Sequence, residues 1–170
     1  MSKRLYLLRH AKSSWKQPEL ADHERPLTGR GRRAANAIAR HLREHDVTPE
    51  LVLCSTARRA RETLERLEPA LGTVAVRHEP QLYRASADVL LERLHSVPDD
   101  VASVMLIGHN PAIEQLALDL AAPSPGRREL EAKFPTAALA TLVFPGPSWR
   151  DIERGGAELA SLVRPRDLET

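Results

Sequence analysis

Two uninterrupted apolar runs, Leu51-Val52-Leu53-Cys54 and Val104-Met105-Leu106-Ile107, constrain the fold of this chain more than any other feature. A strand with one wet face alternates apolar and polar residues, whereas these runs are apolar on both faces. Such strands belong inside a sheet covered on both sides, which is the environment of parallel strands. Shorter or mixed runs at 5–8, 74–76, 137–144 and 159–163 supply further strands.

Helical spacing fills the intervals. Thr28 is placed to cap a helix running to about Glu44, with Ala34, Ala35, Ile38 and Leu42 as its apolar stripe. An arginine-rich helix is expected from Ala57 to Leu67, one capped by Ser86 through Val89, Leu90, Leu91 and Leu94, and one over 112–121. Residues 13–27 read as a long loop punctuated by proline, and 123–135 as an irregular insertion, a kind of segment that often borders sites. Strands alternating with helices imply an α/β three-layer sandwich, its central sheet mainly parallel with helices on both faces. Short links late in the chain allow an antiparallel edge strand. Residues 1–170 are read as one domain.

Composition excludes several classes. Cys54 is the one cysteine, so there is neither an internal disulfide nor a multi-cysteine metal site. No apolar run approaches a membrane span, and the run before Arg9 is only four residues long, so no signal peptide is expected. A cytoplasmic protein without membrane contact is expected. The net charge is +2, but the segment from Arg25 to Arg43 holds six arginines and no acid. That stretch could draw an anionic partner. Nucleic acid is disfavoured, because aromatic residues for base stacking are only 4% of the chain.

Three expected strands end in polar residues of one chemical kind. The first ends in Arg9-His10, the second in Ser55 followed by Arg58 and Arg59, and the fourth in Gly108-His109-Asn110-Pro111. Parallel strands deliver these groups to one side of the sheet, where ligands of open α/β sheets bind. Arginine offers a fixed cationic fork for phosphate, and neutral histidine can act as a nucleophile near neutral pH. Two histidines, two arginines and a helix N-terminus around one point would suit a dianionic phosphate.

In this order the residues resemble the histidine phosphatase superfamily, whose fold is phosphoglycerate-mutase-like, and within it the small SixA-type phosphohistidine phosphatases. The resemblance rests on Leu7-Leu8-Arg9-His10-Ala11-Lys12-Ser13-Ser14-Trp15 and on Arg25-Pro26-Leu27-Thr28 with Arg30-Gly31. Ser55 with Arg59-Ala60 and Glu62-Thr63, Ile107 to Pro111, and Phe134 to Ala138 complete it. It implies that His10 accepts the phosphoryl group, while Arg9, Arg59 and His109 bind its oxygens and stabilise the redistributing charge. The family's Arg-Ala step falls on Arg59-Ala60, which favours Arg59 over Arg58; Arg58 and Ser55 remain candidate phosphate contacts. Ala11 stands where most of the superfamily has glycine.

The chemistry implies no metal and no cofactor, since fixed cations would supply the charge stabilisation. Neighbouring arginines would keep His10 neutral. No carboxylate is obviously placed as a general acid; Glu79 and Asp88 are the candidates, each more simply read as a solvated surface acid. A missing acid would suit a good leaving group, such as a phosphoramidate on a protein histidine. The partner is thus a phosphorylated protein or a small phosphorylated substrate. Rival readings are a small-molecule phosphomonoesterase or mutase, and a phosphate-binding module without turnover. Cys54 does not fit a cysteine phosphatase, which needs arginine at the sixth position after it, where Ala60 stands. His23, His41, His45, His78 and His95 are expected to face solvent. Lys12 and Trp15 are expected at the entrance, with packing beneath the 13–27 loop the other reading for Trp15.

Overall fold

The structure, a computed structural model, describes residues 2–168. One six-stranded sheet runs through it: β1 (Ser2–Arg9), β2 (Leu51–Ser55), β3 (Ala75–Glu79), β4 (Ser103–Gly108), β5 (Leu139–Pro145) and β6 (Glu158–Val163), in the order β3-β2-β4-β1-β5-β6. Strands β3, β2, β4 and β1 pair in parallel, and β5 pairs antiparallel with both β1 and β6. The expected antiparallel strand is therefore β5, and it lies one position in from the edge.

Period-two alternation divides the core between the two faces. Leu5, Leu7, Leu53, Val104 and Leu106 face one side, beneath α3 (Ala87–His95), α4 (Ala112–Leu120) and α5 (Pro125–Ala132). Tyr6, Leu8, Val52, Cys54, Met105 and Ile107 face the other, beneath α1 (Gly29–Glu44) and α2 (Arg58–Leu71). Both predicted caps form: the Thr28 hydroxyl accepts the Gly31 amide and the Ser86 hydroxyl the Val89 amide.

Some expectations shift. Residues 123–135 are not irregular: Ser124 caps α5 and Pro125 opens it, a combination whose prolines and glycine read as loop when counted only as breakers. Strand β3 lies further along than 74–76, because an exposed edge strand tolerates Arg77 and His78 and so lacks an apolar signature. Helix α2 extends through Pro69 to Leu71.

The topology also places a crevice. The helix following β1 packs on one face of the sheet and the helix following β4 on the other, although β1 and β4 are neighbours. Chain directions diverge there, and the gap beyond the carboxyl ends of β1 and β4 is where such folds accommodate ligands.

Candidate active site

Register fixes the two histidines first. Arg9 pairs with Gly108 across β1 and β4, so His10 and His109 leave the sheet side by side. The His10 amide donates to the Gly108 carbonyl at 3.0 Å, and the two rings stand 5.1 Å apart, centroid to centroid. Both residues are buried.

The His10 ring has a defined tautomer. Nδ1 lies 2.7 Å from the Ala11 carbonyl oxygen, which can only accept, so Nδ1 carries the proton and Nε2 keeps its lone pair. Burial, reinforced by His109, Arg59 and Arg9, lowers the His10 pKa to about 3 despite the opposing bond to Ala11. At neutral pH Nε2 is an unprotonated nitrogen.

His109 is anchored by Ser55. The Ser55 hydroxyl accepts the Ala57 amide at 3.2 Å and stands 2.8 Å from His109 Nε2. With one proton and a second lone pair, the hydroxyl can serve that nitrogen as donor or as acceptor, so the bond orients the ring and leaves Nδ1 on the side away from Ser55. That Nδ1 is buried and has no partner in the protein. Burial first, then Arg59 and Arg9, lower the His109 pKa to about 4.

The arginines divide. Arg9 ends β1 and donates through Nη1 to the Phe134 carbonyl at 3.2 Å, which leaves its buried Nε without a partner. Arg59, buried in the first turn of α2, donates through Nη1 to the Asp22 carbonyl at 2.8 Å and through Nη2 to Asp22 Oδ2 at 3.0 Å. Its Nε is likewise buried and unpartnered. Arg58 turns away: its Nε binds Glu62 Oε2 at 3.0 Å, and its side chain is 42% exposed. The structure thus brings Arg9, His10, Ser55, Arg59 and His109 together and leaves Arg58 on the rim of α2.

Two groups that sequence reasoning missed complete the surroundings. Asp22, from the 13–27 loop, holds Arg59, and the Tyr83 hydroxyl donates to the same carboxylate oxygen. That hydrogen bond, with Arg59 and Arg25, holds the Asp22 pKa down at about 2. Arg25 is buried, with Nε 3.2 Å from Asp22 Oδ1 but off the axis needed for a hydrogen bond. The Trp15 ring covers the Arg25 guanidinium at 3.4 Å and is 75% exposed, so Trp15 does not pack beneath its loop. A cavity of about 280 Å³ opens beside His109, walled by Asp22, Arg59, Tyr83 and Arg84.

The carboxylates named from sequence are engaged elsewhere. Glu79 forms a two-pronged pair with Arg93, at 2.7 and 2.9 Å, and exposed Asp88 pairs with Arg154. Cys54 is buried, and burial pushes its thiol up to about 12, so it is no nucleophile. Of the five remaining histidines, His45 and His78 face solvent as expected. His23 is half-buried, bonding Thr56 and meeting Tyr83 edge-on, while His95 bonds the Ile152 carbonyl and His41 leans on His45. These contacts come from loop and helix packing that local polarity does not report. Among the described residues, no group of three or more His, Cys, Asp or Glu side chains is placed to hold a metal ion.

Backbone strain supports the strand end. Ala137 adopts a left-handed conformation with φ of 62°, and its amide donates to the carbonyls of both Arg9 (3.0 Å) and His10 (3.1 Å). A non-glycine residue in that region costs on the order of 1 kcal/mol, retained here beneath the two residues that face the crevice.

Comparison with known proteins agrees with this geometry. The family described as the histidine phosphatase superfamily (branch 1) matches residues 5–90. An uncharacterized protein of Mycobacterium leprae is 37% identical over 94% of this chain and 100% of its own length. A structure provisionally assigned as phosphohistidine phosphatase SixA from Nakamurella multipartitia superposes with a TM-score of 0.86 at 32% identity, covering 97% of each chain. The corresponding Agrobacterium tumefaciens structure gives 0.81 at 30% identity, over 96% of this chain and 98% of that one. Strand order, paired histidines and overall likeness converge: the chain belongs to the histidine phosphatase superfamily, in its SixA-like branch, and is a phosphatase.

Proposed function

We propose that this phosphatase works through a covalent phosphohistidine on His10 and that its substrate is phosphohistidine in a protein. One observation supports the reading above the others. Buried nitrogens without a hydrogen-bond partner in the protein belong to the three groups that act on His10, at Arg9 Nε, Arg59 Nε and His109 Nδ1. Unpaired buried donors are costly, and a phosphoryl group's oxygens would satisfy them.

In the first step His10 Nε2 attacks phosphorus, and the bond from phosphorus to the leaving nitrogen breaks with its electron pair going to that nitrogen, so that the substrate ring, protonated at its other nitrogen, departs as neutral imidazole. Arg9, Arg59 and His109 hold the equatorial oxygens. In the second step a water oxygen attacks the phosphorus, the bond to Nε2 breaks with its electron pair returning to Nε2, and both water protons leave with the inorganic phosphate. Asp22, which lines the cavity beside His109, is held ionised by Tyr83 and Arg59, so it offers no proton. A ring protonated at its other nitrogen leaves as neutral imidazole without an acid from the enzyme, whereas an alkoxide needs one, which favours a phosphoramidate over an alkyl phosphate. No helix among the described residues is long and apolar enough to cross a membrane.

The test compares a phosphohistidine-bearing protein with sugar and nucleotide phosphates, for wild type and His10→Ala, in chelator. Turnover favouring phosphohistidine and an acid-labile phosphoenzyme in wild type alone are expected. Full activity in His10→Ala would end the mechanism, and preference for sugar phosphates would end the substrate assignment.

A further inference from the structure

The arginine-rich stretch noted in the sequence forms one wall of a second cleft. Arg30, Arg33 and Arg40 stand on one side of α1, Lys133 and Arg166 face them, and Lys12 lies at one end. The cleft holds about 790 Å³. All six side chains are exposed, and none forms an ion pair among the described residues. Arg164, which also lines the cleft, is neutralised by Asp167 and Glu129. Cations crowded this way repel one another, and an anion in the cleft reverses the sign of that interaction.

The cleft is joined to the phosphate site. Lys12 is two residues beyond His10, and its carbonyl accepts the Thr28 amide at 2.9 Å, which ties the start of α1 to the strand end. Thr136, on the opposite wall, precedes the strained Ala137 that holds the Arg9 and His10 carbonyls. From Arg30 to Arg40 the wall extends roughly 15 Å at the helical rise, the length of about four or five residues of extended chain. Ala34 and Ala37 between the arginines leave room for a backbone.

We propose that this cleft docks an acidic segment of the protein whose histidine carries the phosphoryl group. The partner is therefore a phosphoprotein with carboxylates flanking or facing its phosphohistidine. The reaction at the far end rests on the substrate reading above; the docking rests on the cleft alone. No aromatic side chain lines the cleft, so it lacks the stacking platforms of single-strand nucleic-acid grooves.

The test uses a glutamate-rich peptide and the same peptide with glutamine for each glutamate, both unphosphorylated and followed by fluorescence anisotropy. Wild type should bind the acidic peptide at least about tenfold more tightly, and the preference should fade toward ~0.3 M salt. Arg33→Glu with Arg40→Glu should abolish it, as should Lys133→Glu with Arg166→Glu from the other wall, while aryl phosphate hydrolysis stays unchanged. With a phosphohistidine added to each peptide, kcat/KM for the acidic version alone should fall about tenfold in both variants. Equal binding of the two peptides, tighter binding of a single-stranded oligonucleotide, or loss of aryl phosphate turnover in both variants overturns the docking cleft. Binding of the acidic peptide without hydrolysis of its phosphohistidine overturns the substrate reading and upholds the cleft.

Discussion

The hydroxyl of Thr63 lies 3.0 Å from the amide nitrogen of Ala11, whose carbonyl in turn fixes the tautomer of His10. The same hydroxyl donates to the Arg59 carbonyl at 2.7 Å. One buried side chain of α2 thus couples the ring that presents a lone pair to the backbone that carries Arg59.

Thr63 is therefore a positioning residue. Thr63→Val keeps the shape but removes both bonds, leaves the Ala11 amide buried without a partner, and loosens the His10 ring. We expect kcat to fall roughly tenfold with KM little changed, as a misplaced nucleophile costs the chemical step. Thr63→Ser should restore the rate. Equal kcat in the valine and serine variants would assign Thr63 to packing alone.

Asp22 sets the charge next to the phosphate donors. Removing its charge in Asp22→Asn leaves Arg59 held by the residue-22 carbonyl but frees its cationic field. Two charges a few ångströms apart near a surface interact by a few kcal/mol at most, so inhibition by inorganic phosphate should tighten by roughly tenfold at low salt. If Asp22 instead donated a proton, the variant would lose most activity on esters with poor leaving groups and little on aryl phosphates. An even effect across leaving groups is the expected outcome.

Gly31 tests the joint between α1 and the strand end. A Cβ there would come within 2.2 Å of the Lys12 carbonyl oxygen, a backbone atom that cannot swing aside. Alanine would gain ~1 kcal/mol of helix propensity, but overpacking against backbone costs ~1–3 kcal/mol and displaces Lys12. Gly31→Ala should lower the Tm by several degrees, read by calorimetry, and a Tm at or above wild type would contradict the contact.

How much of this was legible in the sequence follows from what carries each signal. Leu51 to Cys54 and Val104 to Ile107 announce buried strands because both faces are apolar, and Thr28 and Ser86 announce helix starts through a single hydroxyl. Arg9-His10 and His109 stand out because polarity interrupts an apolar run at the strand's end. Asp22 carried no such mark: it lies in an aperiodic loop, and only the folded path sets it against Arg59 and Tyr83. Thr63 falls within a matched motif, but its bonds run to residues brought near by packing. The strain at Ala137 has no sequence signature, since alanine ordinarily avoids positive φ.

Acid stability follows from the two buried histidines. His10 and His109 have folded pKa values of about 3 and about 4, against about 6.5 unfolded. Below pH ~6.5 the unfolded chain binds protons that the folded chain refuses, so stability falls as pH falls through that window. The loss levels off only as pH reaches the folded values and both states are protonated. Each histidine contributes a slope approaching ~1.4 kcal/mol per pH unit within the window, moderated by residual structure in the denatured state. Urea midpoints measured from pH 7 to pH 4.5 should therefore drop steeply in wild type and less steeply in His10→Asn and His109→Asn. Identical slopes in all three proteins would show that neither imidazole is kept neutral by its surroundings.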